Sequence, residues 1–361
     1  MDWIFNISGG ICGVLLVVID RGVPRVKAGM QRNGYLLRKG RKCSTKSALV
    51  LLPTIIIVFI IIVLSTSQLF TEDAALTETD TELRAQNQDM LDIQARRKAY
   101  IQAVCRKQTN NNIIANPSPE HVWRIYVEDN YGLLYCEVPK VACSNWKRTL
   151  IRLSGNISMK PEDMEHKFVH DKTQLPTLDT YSQSEIEWRL KNYFKFIFVR
   201  EPFERFVSAF RDKFQHPHKY YHSVFGRWII KAYRKNPSKK ELNTNNITFP
   251  EFARFVIQNP LGPDTHWQQM NRICNPCQIQ YDFIGHYETI NEEANWLLRY
   301  VNIPTEVNFP KFKDIHSAES VTNEVLKKHY FSQLSSSVKA MLYKFYEVDF
   351  EMFNYRNTIP L

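Results

Sequence analysis

The hydrophobic pattern changes its period within residues 131–153. Leu133, Leu134, Tyr135 and Val138 are typical of a buried strand, and Pro139 cannot continue a β-ladder because it lacks an N–H. From Trp146 to Leu153, apolar side chains recur every three or four residues, which is the spacing of one helical face. The pattern therefore predicts a strand, a tight loop and a helix in this order.

A second strand-to-helix pattern follows at residues 193–214. Residues 194–199, which are apolar except for Lys195, predict another buried strand, and Pro202 is favoured in the first turn of a helix. A helical pattern at 182–192 precedes this strand, and strand, helix and strand in this order predict an α/β fold with a parallel sheet. The other predicted elements are a strand at 121–127 with a turn at 129–132, and helices at 249–258, 291–301 and 322–347.

Residues 48–64 are apolar without interruption, and the residues up to 70 add little polarity. A run of this length can cross a bilayer as one helix. Residues 21–46 contain nine Lys or Arg and no acid, which keeps that side cytoplasmic and predicts a type II membrane protein. The predicted parts are a basic cytoplasmic tail at 1–47, a transmembrane signal-anchor helix at 48–70, a solvated lumenal stem at 71–117 and a lumenal domain at 118–361. Residues 3–19 are left open between a cytoplasmic, an interfacial and a membrane-crossing segment.

Composition and charge indicate a globular body that binds anions. The 361 residues are 44% hydrophobic, and 22 Phe with 17 Tyr argue against disorder. The formal net charge is +10, and residues 93–361 keep a cationic excess after the basic tail is set aside. Such a body would also suit nucleic acid, but the predicted topology places it in the lumen. No nucleic-acid partner is therefore predicted.

The loop at residues 140–145 joins the first predicted strand to its helix. Backbone N–H groups at a helix N-terminus favour an anion, and Lys140 adds a full positive charge. The loop lacks the G-x-x-x-x-G-K-[ST] pattern of a Walker A motif. Arg200 ends the second strand and Ser208 follows on its helix, and ligands of α/β sheets bind outside such strand ends. Both segments are predicted to line one phosphate-binding crevice.

The two segments resemble known nucleotide motifs. PKVACSNWKR and REPFERFVSAFRDKF are similar to the 5′-phosphosulfate loop and the 3′-phosphate motif of Golgi carbohydrate sulfotransferases of the HNK-1 family. HPHKYYHSVFG, HWQQMNRICNPCQIQYDFIGHYET, NFPKFKDIHS and DFEMFNY resemble the branch that 4-O-sulfates N-acetylgalactosamine, so the resemblance spans about residues 123–355. It implies a sulfotransferase fold, in which a P-loop-like parallel sheet is flanked by helices.

The resemblance also implies a donor, an acceptor and a location. The donor is 3′-phosphoadenylyl sulfate (PAPS), used without a metal, and the acceptor is a glycan on glycoproteins or proteoglycans. The 4-OH of N-acetylgalactosamine is favoured, the location is the Golgi membrane, and a homo-oligomer is left open. The donor-binding residues that it implies are Pro139, Lys140, Val141, Ala142, Cys143, Ser144, Asn145, Trp146, Lys147, Arg200, Glu201, Pro202, Phe203, Glu204, Arg205, Phe206, Val207 and Ser208.

Lys140 and His170 are predicted to carry the chemistry. Lys140 would bind the 5′-phosphate and stabilise the leaving oxygen. His170, at a place where the family carries a His, would take the acceptor proton, with His166 and His266 as rivals. Other assignments stay open: Lys147 is a second cation or a solvated lysine, Arg205 is a donor ligand or an ion-pair partner of Glu201 or Glu204, and Lys213, Lys219, Arg227 and Lys231 line an acceptor groove or are solvated charges.

Five of the seven cysteines would lie in an oxidising lumen. Cys274 and Cys277 have the spacing of half a zinc site, but no second CxxC or CxxH lies nearby, so no metal site is predicted. Disulfides are predicted instead, with the pairing unassigned among these two, Cys105 and Cys136, while Cys143 is expected to be a free thiol. The sequons predict glycosylation at Asn156 and Asn246.

Two other protein classes compete with a sulfotransferase. A P-loop kinase or nucleotidase is disfavoured because the Walker Ser/Thr is missing and no carboxylate for Mg²⁺ follows a strand. A non-catalytic glycan-binding protein is disfavoured because it would not need Lys140, Arg200 and Ser208. Within the family, an acceptor such as glucuronic acid stays open. The predicted function is transfer of a sulfuryl group from PAPS to a glycan hydroxyl.

Overall fold

The computed structural model describes residues 57, 59–64, 84–107, 117–155, 157, 159–243, 246–260, 264–311 and 321–360. The chain divides into two units, residues 1–86 and 87–361. Residues 57 and 59–64 are helical, while the rest of the predicted span at 48–70 and the tail at 1–47 lie outside the described residues. Within the described part of the chain, no helix is long and apolar enough to cross a membrane. The membrane anchor stays a prediction.

A four-stranded sheet lies in the second unit, in the order β1-β2-β3-β4. Its strands are β1 (Ile125–Glu128), β2 (Leu133–Cys136), β3 (Phe194–Val199) and β4 (Phe283–His286). β2, β3 and β4 are parallel, but β1 pairs antiparallel with β2. The prediction of a parallel sheet is therefore wrong for β1, because the short connection at 129–132 permits only a hairpin.

The parallel strands explain both the apolar runs and the position of the site. β2 is buried along its whole length and β3 over its last four residues, so neither strand alternates between polar and apolar side chains. Gly285 of β4 is required by close packing, because a Cβ there would lie 2.2 Å from the ring of Phe198. The loops after Cys136 and Val199 follow the carboxyl ends of neighbouring parallel strands, so they open at the same edge of the sheet.

Helices surround the sheet and form a second layer of core. The shorter helical turns are 3₁₀ turns at Pro161–Asp163, Leu178–Thr180 and Tyr287–Thr289 and π-helical turns at Arg211–Gln215 and His222–Gly226. The α-helices are α1 (residues 84–107), α2 (Pro119–Val122), α3 (Cys143–Leu153), α4 (His166–Val169), α5 (Gln183–Asn192), α6 (Pro202–Phe210), α7 (Lys219–Tyr221), α8 (Arg227–Tyr233), α9 (Lys239–Leu242), α10 (Phe249–Gln258), α11 (Met270–Cys274), α12 (Pro276–Ile279), α13 (Ile290–Tyr300), α14 (Glu324–Phe331) and α15 (Ser336–Met352).

Most of the predicted helices are confirmed within one or two residues. α5, α10 and α13 correspond to the helices predicted at 182–192, 249–258 and 291–301. The single helix predicted at 322–347 is wrong, because it is two helices. Ser335 ends the continuity by capping α15, where its side chain accepts from the backbone N of Val338. The strand predicted at 121–127 begins late, because its first two residues belong to α2.

Two aromatic clusters form the core. The first lies at the sheet, where the ring of Trp146 is 4.7 Å from that of Phe196 and 5.0 Å from that of Phe198. The second lies among α6, α10 and α15, where Phe206 stacks on Phe252 at 4.9 Å. α3 and α6, which follow the two predicted motifs, are thus each anchored by buried rings, and this anchoring fixes the loops before them.

α1 covers the edge strand β4. The side-chain amide of Gln94 accepts from the backbone N of Ile284 at 2.8 Å and donates to its O at 3.1 Å, as a neighbouring strand would. Arg97 forms an ion pair of 2.5 Å with the buried carboxylate of Glu293. From Asn87 onward, this part of the predicted solvated stem therefore belongs to the same compact unit as the sheet.

The prediction of disulfides is confirmed, and the structure supplies the pairing. Cys105 bonds to Cys277 across 172 residues, and Cys136 bonds to Cys274 across 138 residues. The two cysteines of the CxxC segment therefore have different partners, Cys105 on α1 and Cys136 on β2. Among the described residues Cys143 is a free thiol, and no group of His, Cys, Asp and Glu there could hold a metal ion.

Candidate active site

The loop between β2 and α3 has an unusual backbone. Lys140 has φ of 72° and Ala142 has φ of 53°, so two residues that are not glycine adopt the left-handed conformation. Such strain is found mainly where a binding site requires it. α3 begins at Cys143 with Ala142 as its N-cap, and no side chain of the described residues caps that end. The first turn of α3 and the Lys140 side chain thus form a cradle suited to an anion.

The two motifs meet at the cradle. Nη1 of Arg200 donates to the backbone O of Lys140 at 3.1 Å. Nε of Arg205 donates to the backbone O of Pro139 at 2.9 Å. The structure therefore brings the two separately predicted segments into one site at the carboxyl ends of β2 and β3.

Arg200 is almost completely buried at 2% exposure. Its Nη2 donates to the backbone O of Thr322 at 2.5 Å, and its guanidinium lies 4.1 Å from the ring centre of Tyr287. Its buried Nε has no hydrogen-bond partner among the described residues. A fixed cation with an unsatisfied N–H fits the predicted binding of a phosphate group.

The guanidinium of Arg205 binds backbone carbonyls, which contradicts the ion-pair alternative for this residue. It forms no ion pair with Glu201 or Glu204 within the described structure; its other two nitrogens donate to the backbone O of Gln268 and of Thr265, each at 2.6 Å. With Pro139, the guanidinium thus holds three carbonyls. Its contacts tie the cradle to residues 264–269.

The remaining residues of the second motif divide into a cap, a core and a partly accessible face. Oε2 of Glu201 caps α6 by accepting from the backbone N of Glu204 at 2.6 Å, and it lies 3.3 Å from Nζ of Lys327. Burial raises the pKa of Glu201 to about 7. Pro202, Phe203, Phe206 and Val207 are buried, while Glu204 and Ser208 are partly exposed. The buried positions of the apolar side chains do not support their predicted contact with the sulfuryl donor.

The ammonium of Lys140 has a carboxylate partner that the sequence did not indicate. Nζ of Lys140 lies 2.8 Å from Oδ2 of Asp212, and Nζ of Lys213 lies 3.1 Å from the same oxygen. Burial lowers the pKa of Lys140, and Asp212 opposes this change. The two lysines lower the pKa of Asp212, although burial alone would raise this pKa. The available signal was the position of Asp212 within the second motif.

His170 contacts the cradle helix. Its Nε2 lies 2.9 Å from Oγ of Ser144, and its Nδ1 lies 3.3 Å from Nζ of Lys147. Lys147 is only 4% exposed and forms an ion pair of 2.8 Å with Glu137. The reading of Lys147 as a solvated lysine is therefore wrong. The predicted rival His166 is exposed and stacks on His170 with ring centres 4.2 Å apart.

His266 lies on the Asp212 side of the site. Its Nδ1 is 2.6 Å from Oδ1 of Asp264 and 3.0 Å from the hydroxyl of Tyr221. Burial, together with the positive charges of Lys213 and Lys140, lowers the pKa of His266 to about 4, although Asp264 opposes this change. The imidazole is therefore neutral at ordinary pH, with Nδ1 held by two partners.

The other predicted surface residues lie apart from these contacts. Of the four cations proposed for an acceptor groove, Lys213 is the one that contacts Asp212 within the described part of the chain. Lys219, Arg227 and Lys231 are exposed, and Arg227 donates to Asn243 at 3.0 Å. Asn246 is exposed, as a glycosylation site must be, and Asn156 lies outside the described residues.

Asn145 and Trp146 complete the cradle helix. Nδ2 of Asn145 donates to the backbone O of Pro310 at 2.9 Å, and Trp146 is fully buried against the sheet. Val141 is also buried, whereas Ala142, Cys143 and Ser144 are partly exposed. The accessible part of the first motif is therefore Lys140 with residues 142–145. The donor-binding role of these residues stays a prediction.

Comparison with known proteins assigns the chain to a family. A family model described as "Sulfotransferase family" matches residues 123–356, which include both motifs and all four strands. The chain belongs to this sulfotransferase family. No solved structure matches it significantly.

Several curated relatives are similar over the same region. Carbohydrate sulfotransferase 8 of Mus musculus is 45% identical over 265 residues, covering 73% of this chain and 63% of the relative. Carbohydrate sulfotransferase 9 of Homo sapiens is 42% identical over 265 residues, covering 73% and 60%. Carbohydrate sulfotransferase 14 of Danio rerio is 36% identical over 285 residues, covering 77% and 75%. The chain thus spans less than two thirds of the length of the first two relatives.

Proposed function

We propose that this protein transfers the sulfuryl group of PAPS to a hydroxyl of a glycan. The observation that carries this proposal is the junction of the two motifs, where the buried guanidinium of Arg200 donates to the backbone O of Lys140 at 3.1 Å. Membership of the sulfotransferase family supports the donor, and relatives named as carbohydrate sulfotransferases support the class of acceptor.

The donor has two anionic ends, and the site offers cationic groups for each. Lys140 and the start of α3 would hold the 5′-phosphosulfate, and Arg200 with Ser208 would hold the 3′-phosphate. These groups are preorganised, because Arg200 is fixed by two carbonyls and Lys140 by Asp212. Preorganised donors aimed at developing charge are a major source of rate enhancement.

The acceptor hydroxyl must lose its proton as it reacts. Its oxygen forms a bond to sulfur, the bond from sulfur to the 5′-phosphate oxygen breaks, and the nucleotide leaves with the electron pair of that bond. We assign the acceptor proton to the imidazole of His170, whose Nε2 lies 2.9 Å from Oγ of Ser144 in the cradle helix. Lys140 then compensates the charge that develops on the leaving phosphate.

Within the glycans we favour the 4-OH of N-acetylgalactosamine. The support is the resemblance of segments between residues 216 and 355 to the branch with that specificity. Glucuronic acid is the alternative acceptor. We also propose the Golgi membrane as the location, with a type II anchor at residues 48–70, which the apolar run and the basic cluster before it support.

The proposal is tested by following radiolabelled sulfate from PAPS to a panel of glycans that end in N-acetylgalactosamine, glucuronic acid or galactose. We expect transfer to the first acceptor, sulfate at O4 in the product, and the same rate in EDTA. Glycan binding without transfer would indicate a non-catalytic binding protein. Transfer of phosphate from a nucleoside triphosphate that is abolished by EDTA and restored by Mg²⁺ would indicate a kinase.

A further inference from the structure

An acidic side chain lies inside the cationic donor site. Oδ2 of Asp212 accepts from Nζ of both Lys140 and Lys213. A carboxylate within a few ångströms of a phosphosulfate site repels the anionic donor and weakens its binding. This cost calls for a compensating role of Asp212 elsewhere in the reaction.

A local change in helix geometry places Asp212. α6 ends at Phe210 and continues as the π-helical turn Arg211–Gln215. π-helical turns are rare and often occur at functional sites. Nη1 of Arg211 donates to Oγ1 of Thr322 at 2.8 Å, and this contact fixes the start of the turn. The turn therefore presents Asp212 and its neighbour Lys213 to the cradle.

The charged and titratable groups around Lys140 explain what the carboxylate does. Lys140 is faced by Asp212, Lys213 and the thiol of Cys143, and its charge acts on His266. Burial and the charge of Lys213 both lower the pKa of Lys140, whereas Asp212 raises it. Without Asp212, two ammonium groups would face each other with no carboxylate between them.

We propose that Asp212 is a positioning residue that holds the ammonium of Lys140 in place and in its charged form for the leaving phosphate. Asp212 acts through Lys140 and makes no contact of its own with the donor. The inference rests on the proposed function. It predicts opposite effects on donor binding and turnover, because the same carboxylate opposes the donor's charge and supports the lysine that stabilises the leaving group.

The test is Asp212→Asn in the full chain, which removes the charge and keeps the shape. We measure the Kd of 3′-phosphoadenosine 5′-phosphate (PAP) by calorimetry, and kcat with PAPS and glycan from pH 6 to 10. We expect PAP to bind at least as tightly as to the wild type. We also expect kcat at pH 7 to fall about tenfold or more. The basic limb of its pH profile should move to lower pH by about one pH unit. Asp212→Glu should return that limb toward the wild-type position.

Asp282→Asn is the matched control. Asp282 pairs with Lys195 at 2.9 Å, but at the amino ends of β3 and β4, the opposite edge of the sheet from the cradle. The Asp282→Asn substitution should leave the basic limb of the pH profile unchanged. If Asp212→Asn lowers both the PAP affinity and kcat but leaves the basic limb of the pH profile in place, the substitution has only damaged the structure. This result overturns the proposal. An unchanged kcat overturns it as well.

If the Asp212→Asn protein does not fold, Lys213→Met is the second test. Removing the second ammonium should move the basic limb of the kcat profile to higher pH, because Lys140 then shares Asp212 with no other cation. A basic limb that stays in place or moves to lower pH contradicts the proposal. Failure of the proposed function is distinguishable, since the wild type would then neither bind PAP nor transfer sulfate. An active wild type with an unaffected Asp212→Asn protein refutes only the role of Asp212.

Discussion

Oγ of Ser144 lies 2.9 Å from Nε2 of His170, although the two residues are 26 positions apart in the chain. The contact joins the first turn of α3, which forms the cradle, to the end of α4, which carries His170. A base at this position can reach an acceptor oxygen that approaches a sulfuryl group held at the cradle. The geometry thus supports the choice of His170 among the ten histidines.

Substituting His170 tests this choice. His170→Gln should reduce kcat by about 10² to 10⁴, because general-base catalysis is lost, while the Kd of PAP stays within a few-fold. His266→Gln is the comparison and should cost much less. A reversed order, with His266→Gln the more severe loss, would make the Asp264–His266 pair the base.

Lys140→Ala should lower kcat by several orders of magnitude, because the leaving phosphate loses its nearest cation. The cost in stability should be small, about 1 kcal/mol or less, since Asp212 keeps Lys213 as a partner. Turnover and thermal unfolding are measured together. Lys191→Ala, which removes an exposed lysine of α5, is the control and should change neither. A folded Lys140→Ala protein with normal kcat would contradict the assignment of Lys140 to the leaving phosphate.

Ser208→Ala and Arg200→Ala should differ in what they damage. Ser208 is a partly exposed residue of α6, so its loss should weaken PAP binding and leave the unfolding temperature unchanged. Arg200 also holds the carbonyls of Lys140 and Thr322, so its loss should weaken PAP binding and destabilise the fold by about 2–3 kcal/mol. Calorimetry with PAP and with the glycan separates donor from acceptor effects. Equal weakening of both ligands by Ser208→Ala would contradict a donor-specific role.

Glu137 makes the stability of the protein depend on pH. Although burial alone would raise it, the charges of Arg124 and Lys147 lower the pKa of Glu137 from 4.5 to about 2. A carboxylate with a depressed folded pKa stabilises the protein above its unfolded pKa, and this contribution is lost as the pH falls from about 4.5 to about 2.

Glu137→Gln should therefore lower the free energy of unfolding at pH 7 by about 3 kcal/mol, because the buried Lys147 and the partly buried Arg124 lose their partner. The difference from the wild type should shrink as the pH approaches 2. Urea unfolding at several pH values measures it. Glu347→Gln, which breaks an exposed pair with Lys344, serves as the control. A difference that does not vary with pH would contradict the ion-pair origin.

The start of a shortened chain should decide its stability. A protein that begins at Arg84 keeps the whole of α1, whereas one that begins at Ala95 loses Gln94 and leaves the backbone N of Ile284 without its partner. The backbone O of Ile284 keeps its hydrogen bond from Nη1 of Arg97 at 2.7 Å. An unpaired buried group costs about 1–3 kcal/mol, so the shorter protein should unfold at a lower temperature. Gln94→Ala in the longer protein is the matched control and should reproduce most of the loss. Equal unfolding temperatures would show that α1 does not stabilise the sheet edge.

The sequence by itself determined the elements whose signals are local. The strands and helices of both motifs could be predicted because their signals depend only on neighbouring residues. These signals are the mostly apolar residues 194–199, the Pro at position 202 and the periodicity from Trp146 to Leu153. The lysine and the arginine of the two motifs were found for the same reason, as each stands at a recognisable strand end.

Only the tertiary structure decided which distant groups meet. Asp212 and Lys140 are 72 residues apart, Arg200 and Thr322 are 122 apart, and Gln94 and Ile284 are 190 apart. No periodicity links such pairs, because chain packing brings them together after the local elements have formed. The partners of the two disulfides and the carboxylate beside the cradle lysine were both set at this level.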